Sequence, residues 1–298
     1  MQAKLIINSP KVFHVSLFLC GILLLAGCGG TSQKKYGIIS IGPNITEILF
    51  QIGAGNKVIG IGDFDDYPPE IKDYPKVGTY ISPNIEKITS LNPEIIITAG
   101  EIPQLVTLAN EINAKYYSIS MDTLEEIYAG IIKIGEITKY QSRAQKLVEE
   151  MKNKLKNIEE KTKNFEPIPT LLVVGREPRD LTSIQVAGSK SFLSEILKIA
   201  GGKNVFENED RAYFEISAEM VVSKSPQVII EFRCGESLTQ SQLDYLFLDW
   251  KALDTVPAVK NSRIYFILES YGMRPGPRLS RVAEKIASYL HPEFEVIQ

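Results

Sequence analysis

Among the side chains able to carry chemistry, two glutamates are presented in the same phrase, once in each half of the chain. Residues 84–98 read NIEKITSLNPEIIIT and residues 217–231 read SAEMVVSKSPQVIIE, so that Glu86 falls on Glu219, Ser90 on Ser223 and Pro93 on Pro226. Each glutamate precedes its proline by seven residues, and an apolar run follows, Ile95–Ile97 or Val228–Ile230. The prolines and apolar runs suit an ordinary helix–Pro–strand join, because proline stops helices and β-branched runs fill buried parallel strands. The repeated glutamate does not follow from that join. A carboxylate in a first helical turn can complement the helix dipole or meet a cation on a partner in a charge-assisted pair. Spacing alone leaves both uses open.

The chemistry that is missing narrows the function further. The chain has two histidines and three cysteines. His14 and Cys20 lie in the apolar stretch VFHVSLFLCGILLLAG, which follows Lys4 and Lys11 and is short for a membrane span. The stretch ends in Leu25-Ala26-Gly27-Cys28, which resembles the lipobox of bacterial lipoproteins. That resemblance implies a signal peptide over 1–27, cleavage before Cys28 and diacylation of its thiol. Residues 28–35 then form a lipidated polar tether, firmly held because two or three acyl chains succeed where one is marginal. Cys234 is left with no disulfide partner, and His291 is the only histidine of the mature chain. No histidine-based triad, HExxH site or Cys/His metal cluster can be assembled. No catalytic residue, metal ligand or cofactor is therefore assigned, and the reading is of a protein that is not an enzyme.

At 298 residues, with 44% hydrophobic and 23% charged residues, the chain has material for two globular domains. Its formal charge of −3 becomes −5 once Lys4 and Lys11 leave with the signal, and no basic signature for nucleic acid remains.

The elements that must position these groups alternate in type. From Tyr36, GIISI and KVIGIG read as strands, Gly42-Pro43-Asn44 as a turn, and ITEILFQIG as a helix closed by glycine. Helix and strand then alternate to about residue 137, the pattern of a parallel sheet with covering helices. Residues 138–164 lack Gly and Pro, and Ala144, Leu147, Met151, Leu155 and Ile158 recur at spacings of three and four. This predicts one long amphipathic helix. Alternation resumes from FEPIP. The fold class expected is α/β: two three-layer lobes with parallel sheets, an N-terminal lobe over 36–137 and a C-terminal lobe over 165–298. One rigid bridging helix over 138–164 joins them, with a ligand cleft between the lobes.

Tyr80 and Tyr213 each stand six residues before the repeated glutamate. Aromatics so placed could line both walls of a cleft, or simply pack in the core. The longer stretches ISIGPNITEILFQIGAGNKVIGIGDFDDYPPE, KVGTYISPNIEKITSLNPEIII, AGSKSFLSEILKIAGGKNVF and MRPGPR extend the pattern. With them the chain from Tyr36 onward resembles the substrate-binding proteins of ABC importers whose lobes are bridged by a single helix. That family binds cobalamin, ferric siderophores and haem, and GDFDDYPPEIKDYPKVG is most similar to its cobalamin binders.

The resemblance implies roles for particular residues. Glu86 and Glu219 match the glutamates that dock into arginine pockets of the two permease subunits. Phe64, Tyr80 and Tyr213 match aromatics that pack on the corrin, and Tyr271 and Arg274 match a cleft loop beside the ligand's polar side chains. Arg278 can serve the ligand or the structure. The expected partners are an ABC permease dimer with its ATPase subunits, a small-molecule ligand and, through Cys28, the outer face of the cytoplasmic membrane. No nucleic acid is expected, and the protein should be a monomer. Cobalamin or a related corrinoid is the ligand expected. A ferric siderophore is the alternative, held by arginines among Arg176, Arg179, Arg211, Arg233 and Arg274. Haem ranks lower, because Thr79 rather than tyrosine follows Val77-Gly78. A chelatase-like enzyme is the distant alternative. A long connecting helix resists hinge bending, so only small lobe motions are expected.

Overall fold

A computed structural model describes residues 37–294. The signal peptide, the tether and Cys28 lie outside the described residues.

The first lobe is built on β1 (Ile38–Ile41), β2 (Val58–Ile61), β3 (Ile95–Ala99) and β4 (Lys115–Ile119), with helices α1 (Pro43–Gln51), α2 (Ile85–Leu91), α3 (Pro103–Glu111) and α4 (Leu124–Thr138). Its sheet has the order β2-β1-β3-β4 and is parallel throughout. Side chains alternate across it as a period of two requires. Ile38, Ile95 and Ile97 pack with α1 and α4, whereas Ile39, Ile41 and Ile96 pack with α2 and α3. Layers of helix therefore cover both faces. Pro43 is the first residue of α1 rather than part of a turn, and the turn is carried by Gly42 alone at φ 136°.

After α5 (Gln141–Thr162) the second lobe comprises β5 (Ile168–Arg176), β6 (Ile184–Ala187), α6 (Phe192–Ile199), β7 (Gly202–Asn204), β8 (Tyr213–Ile216), α7 (Ala218–Lys224), β9 (Val228–Phe232), α8 (Gln240–Trp250), α9 (Pro257–Lys260), β10 (Ile264–Ile267) and α10 (Leu279–Leu290). The sheet order is β10-β9-β5-β6-β8, with β7 on β5. This sheet is mostly parallel, but β6 runs antiparallel to both β5 and β8, a departure from the parallel sheet expected. The reason is connection length: a parallel crossover takes a dozen residues or more, and the 177–183 loop is shorter than that.

The bridging helix starts later than the sequence suggests. Lys139 adopts a left-handed conformation (φ 66°) that ends α4, and the chain restarts at Gln141. At Gly135 a Cβ would come within 2.5 Å of the Ala144 side chain, so α4 and α5 pack closely there. Ala144, Leu147, Val148, Met151, Leu155 and Ile158 form the buried stripe of α5. They belong to one apolar cluster that also includes Ile48 and Ile97 of the first lobe and Leu172, Ile230 and Ile286 of the second.

Candidate functional site

Because β1–β4 are parallel to one another and β5, β9 and β10 likewise, the loops after them gather on one edge of each sheet, where α/β folds place ligands. In the first lobe this edge holds a cavity of about 240 Å³ bounded by Pro43, Asn44, Asp63, Phe64, Asp65 and Tyr80. Phe64 is 72% exposed and Tyr80 50% exposed. Two large rings left in water beside one concavity are surface that a flat ligand would cover. Tyr80 is nonetheless fixed: its hydroxyl donates to the Glu101 carbonyl at 2.8 Å and its ring lies against Gly100. Gly100 has φ 89°, and a Cβ there would sit 3.3 Å from the Tyr80 hydroxyl. Gly78 N donates to Asp63 Oδ1 at 2.9 Å, tying the loops of Phe64 and Tyr80 together.

Beneath this surface Asp65 is buried. Its Oδ2 accepts from the Thr46 hydroxyl at 2.5 Å and from Gly62 N at 3.1 Å, and its Oδ1 has no partner among the described residues. Burial outweighs these hydrogen bonds and pushes the carboxyl up to about 6.

Two guanidinium groups cross from the second lobe on the loop after β10. Arg274 Nη2 donates to Asp66 Oδ2 at 3.1 Å, and its Nη1 to Oδ1. Partial burial of Asp66 opposes its charge, but the Arg274 hydrogen bonds and charge prevail and hold this carboxyl below its usual range. Arg278 reaches Glu47, which α1 carries into the interior, and its guanidinium carbon stands over the rings of Tyr67 and Tyr271, 4.1 and 4.9 Å from their centroids. Burial raises the Glu47 carboxyl despite that cation. The lobes also meet where Phe192 N donates to the Asp122 carbonyl at 2.6 Å and Leu124 N to Glu195 Oε2 at 2.7 Å.

Phe64 and Tyr80 thus share one cavity, and Arg274 stands beside it through Asp66. Tyr271 packs against Arg278 and the apolar cluster. Tyr213 opens β8 on the second lobe, 39% exposed and within the electrostatic reach of Asp122 on the first. It does not line the cavity of Phe64 and Tyr80. Arg278 is held in its pair with Glu47.

Glu86 and Glu219 are both exposed in the first turns of α2 and α7. Both helices are seven residues long, and both end at a left-handed residue before the proline: Asn92 (φ 47°) and Ser225 (φ 49°). Exposed apolar side chains flank each glutamate, Ile81 and Ile85 on one lobe and Met220 and Val222 on the other.

The acidic partners Glu47, Asp65 and Asp66 escaped the sequence reading. A signal existed for Glu47, a charge set among Ile45, Ile48 and Leu49 in ITEILFQ, where burial requires a counter-ion. Among the described residues no group of His, Cys, Asp and Glu could hold a metal ion, and no helix is long and apolar enough to cross a membrane.

Residues 38–271 match the family of periplasmic binding proteins, and the chain belongs to it. The vitamin B12-binding protein of Vibrio cholerae serotype O1 is 27% identical over 255 residues, covering 85% of this chain and 88% of that protein. The uncharacterized ABC transporter substrate-binding lipoprotein YvrC of Bacillus subtilis is 29% identical over 271 residues, covering 86% and 80%. Among solved structures, the periplasmic vitamin B12 binding protein BtuF of Vibrio cholerae superposes with a TM-score of 0.70 at 25% identity, over 86% of this chain and 96% of that one. The periplasmic heme binding protein HutB of the same organism gives 0.76 at 22% identity, over 87% and 100%, a likeness of fold. A possible iron-binding protein of Staphylococcus epidermidis gives 0.73 at 25%, over 86% and 98%.

Proposed function

We propose that this protein is the extracytoplasmic solute-binding component of an ABC importer, and that its ligand is cobalamin or a related corrinoid. The observation that carries the ligand is the pairing of exposed Phe64 and Tyr80 on one cavity at the strand ends. The similarity to vitamin B12-binding proteins over most of the chain supports the same reading. A corrin covering those rings would gain apolar burial with little loss of rotamer freedom. Tyr80 already donates its hydroxyl to Glu101, which suits a packing face better than an axial ligand for haem iron.

On this reading Cys28 carries the lipid, and the monomer stays at the outer face of the cytoplasmic membrane. Glu86 and Glu219 dock on the two permease subunits, and ATP hydrolysis by the transporter drives release. The chain itself performs capture and delivery, with no catalytic group, metal or cofactor. The shared core through α5 and the Glu47–Arg278 pair favour small lobe motions. Titration calorimetry of the mature chain with cyanocobalamin, haemin and ferric siderophores tests the ligand. Heat with cyanocobalamin alone supports it, and binding of only a siderophore or haemin replaces it.

A further inference from the structure

The second lobe carries a group of charged side chains that the cleft described so far does not use. Glu231 on β9 is fully buried and accepts from three donors: Arg176 Nε at 3.1 Å, Arg233 Nε at 2.8 Å and Trp250 Nε1 at 2.9 Å. Asp249 Oδ2 accepts from Arg176 Nη1 at 2.8 Å and from Arg179 N at 2.9 Å. These carboxylates are occupied. The donors are not exhausted.

The Arg233 side chain is only 9% exposed, yet its Nη2 has no hydrogen-bond partner among the described residues. Its Nη1 has only a long contact, 3.5 Å, to the half-exposed Glu236. A buried guanidinium nitrogen left unpaired is costly, and such a group calls for an acceptor that the chain does not itself provide. Arg233 lines a cavity of about 400 Å³ together with Arg179, Leu238, Gln242, Tyr245 and Asp249. The Arg179 side chain is exposed and has no hydrogen bond or ion pair among the described residues, so it is available to the same guest. Tyr245, 57% exposed, offers an apolar face beside these cations.

Position links this cavity to the cleft. Arg179, Arg233 and Arg274 follow β5, β9 and β10, which are neighbouring parallel strands. Neighbouring strands lie about 4.8 Å apart, so the three loops succeed one another along roughly 10 Å of one sheet edge. A guest resting beside Arg274 has the Arg233 cavity within reach of a side arm. The carboxylates of Asp249 and Glu236 also line this cavity, but Asp249 is engaged by Arg176 and Arg179 N and Glu236 lies at 3.5 Å from Arg233 Nη1, so an arm ending in acceptor oxygens suits the two guanidinium groups.

We propose that this cavity is an oxyanion subsite, and that it takes the phosphodiester of the nucleotide loop, the anionic group of cobalamin. The proposal rests on the corrinoid reading above. It assigns Arg233 and Arg179 to recognition of the loop, and leaves the corrin to the aromatics of the first lobe.

Calorimetry with cyanocobalamin and with dicyanocobinamide, which lacks the nucleotide loop and its phosphate, tests the assignment on the full mature chain. The variants are Arg179→Ala, at an exposed side chain, and Arg233→Lys, which keeps a cation beside Glu231. The wild-type chain should prefer cyanocobalamin. Each variant should lower cyanocobalamin affinity about tenfold, the worth of one charge-assisted hydrogen bond, and leave cobinamide affinity unchanged. A merely structural role would weaken both corrinoids equally. That result, a preference surviving in both variants, or no preference in the wild type overturns the subsite alone. Binding of neither corrinoid by the wild-type chain overturns the corrinoid reading and the subsite with it.

Discussion

Arg278 and Glu47 are 231 positions apart in the chain and form one planar, multiply bonded pair across the lobe junction. Nε donates to Oε1 at 2.9 Å and to Oε2 at 3.0 Å, and Nη2 donates to Oε2 at 2.7 Å. The carboxylate side chain is 3% exposed and the guanidinium 13%. Removing one member leaves an uncompensated buried charge, so Arg278→Met should cost about 3–5 kcal/mol in urea unfolding. The double variant Arg278→Met with Glu47→Gln should recover a large part of that loss. Equal destabilisation by single and double variants would show that the charge pairing is not what matters there.

Asp65 gives a pH dependence of definite sign. Its folded value of about 6 lies above the reference of 3.8, so the folded state binds the proton more tightly than the unfolded chain does. The stability associated with the protonated group is present below about pH 4 and is lost as pH rises through 6. The shift of some two units corresponds to about 3 kcal/mol. Relative to Asp65→Asn, the wild-type chain should therefore lose about that much between pH 4 and 7 and then run parallel. Urea unfolding of both proteins at intervals of one pH unit gives the answer, and a constant difference across that range would contradict the burial of a titrating carboxyl.

Phe64 and Tyr80 are expected to act on affinity and not on folding. Phe64→Ala and Tyr80→Ala should each weaken cyanocobalamin binding by roughly 10- to 100-fold, the range for truncating an aromatic anchor. Because both rings are exposed, unfolding free energies should move by less than about 1 kcal/mol. Calorimetry and thermal melts on the same samples separate the two effects. Unchanged affinity in both variants would move the ligand elsewhere in the cleft.

Glu86 and Glu219 make the complementary case. Glu86→Ala with Glu219→Ala should leave ligand affinity at its wild-type value and abolish uptake of labelled ligand by cells that depend on this importer. Each single variant should fall between. Full uptake by the double variant would remove the docking role.

The architecture was legible because its signals are local and redundant. Prolines 93 and 226, the isoleucine-rich strands and the three-and-four spacing of Ala144 to Ile158 each state an element on their own. What was not legible depended on pairing at a distance. Nothing near Arg278 names Glu47, and nothing near Arg274 names Asp66; the loop after β10 must fold back onto the first lobe before either pair exists. The antiparallel β6 was missed because a short run such as IQVA carries no sign of its direction, which the length of the preceding loop decides. Tyr271 has the Arg278 guanidinium over its ring, a relationship that no spacing within SYGMRPGPR encodes.

The apolar cluster that runs through α5 has a consequence for how this protein comes apart. Ile48 and Ile97 on one side and Leu172, Ile230 and Ile286 on the other share that cluster with Leu147, Met151 and Leu155. The helix α5 packs on α4 of the first lobe and on α6 and α10 of the second, so it cannot leave one lobe without uncovering apolar surface that the other shares. Two lobes that look separable in outline are therefore one cooperative block in thermodynamic terms. The described chain should melt in a single transition, and a cut at the end of α5 should yield two fragments that fold only together.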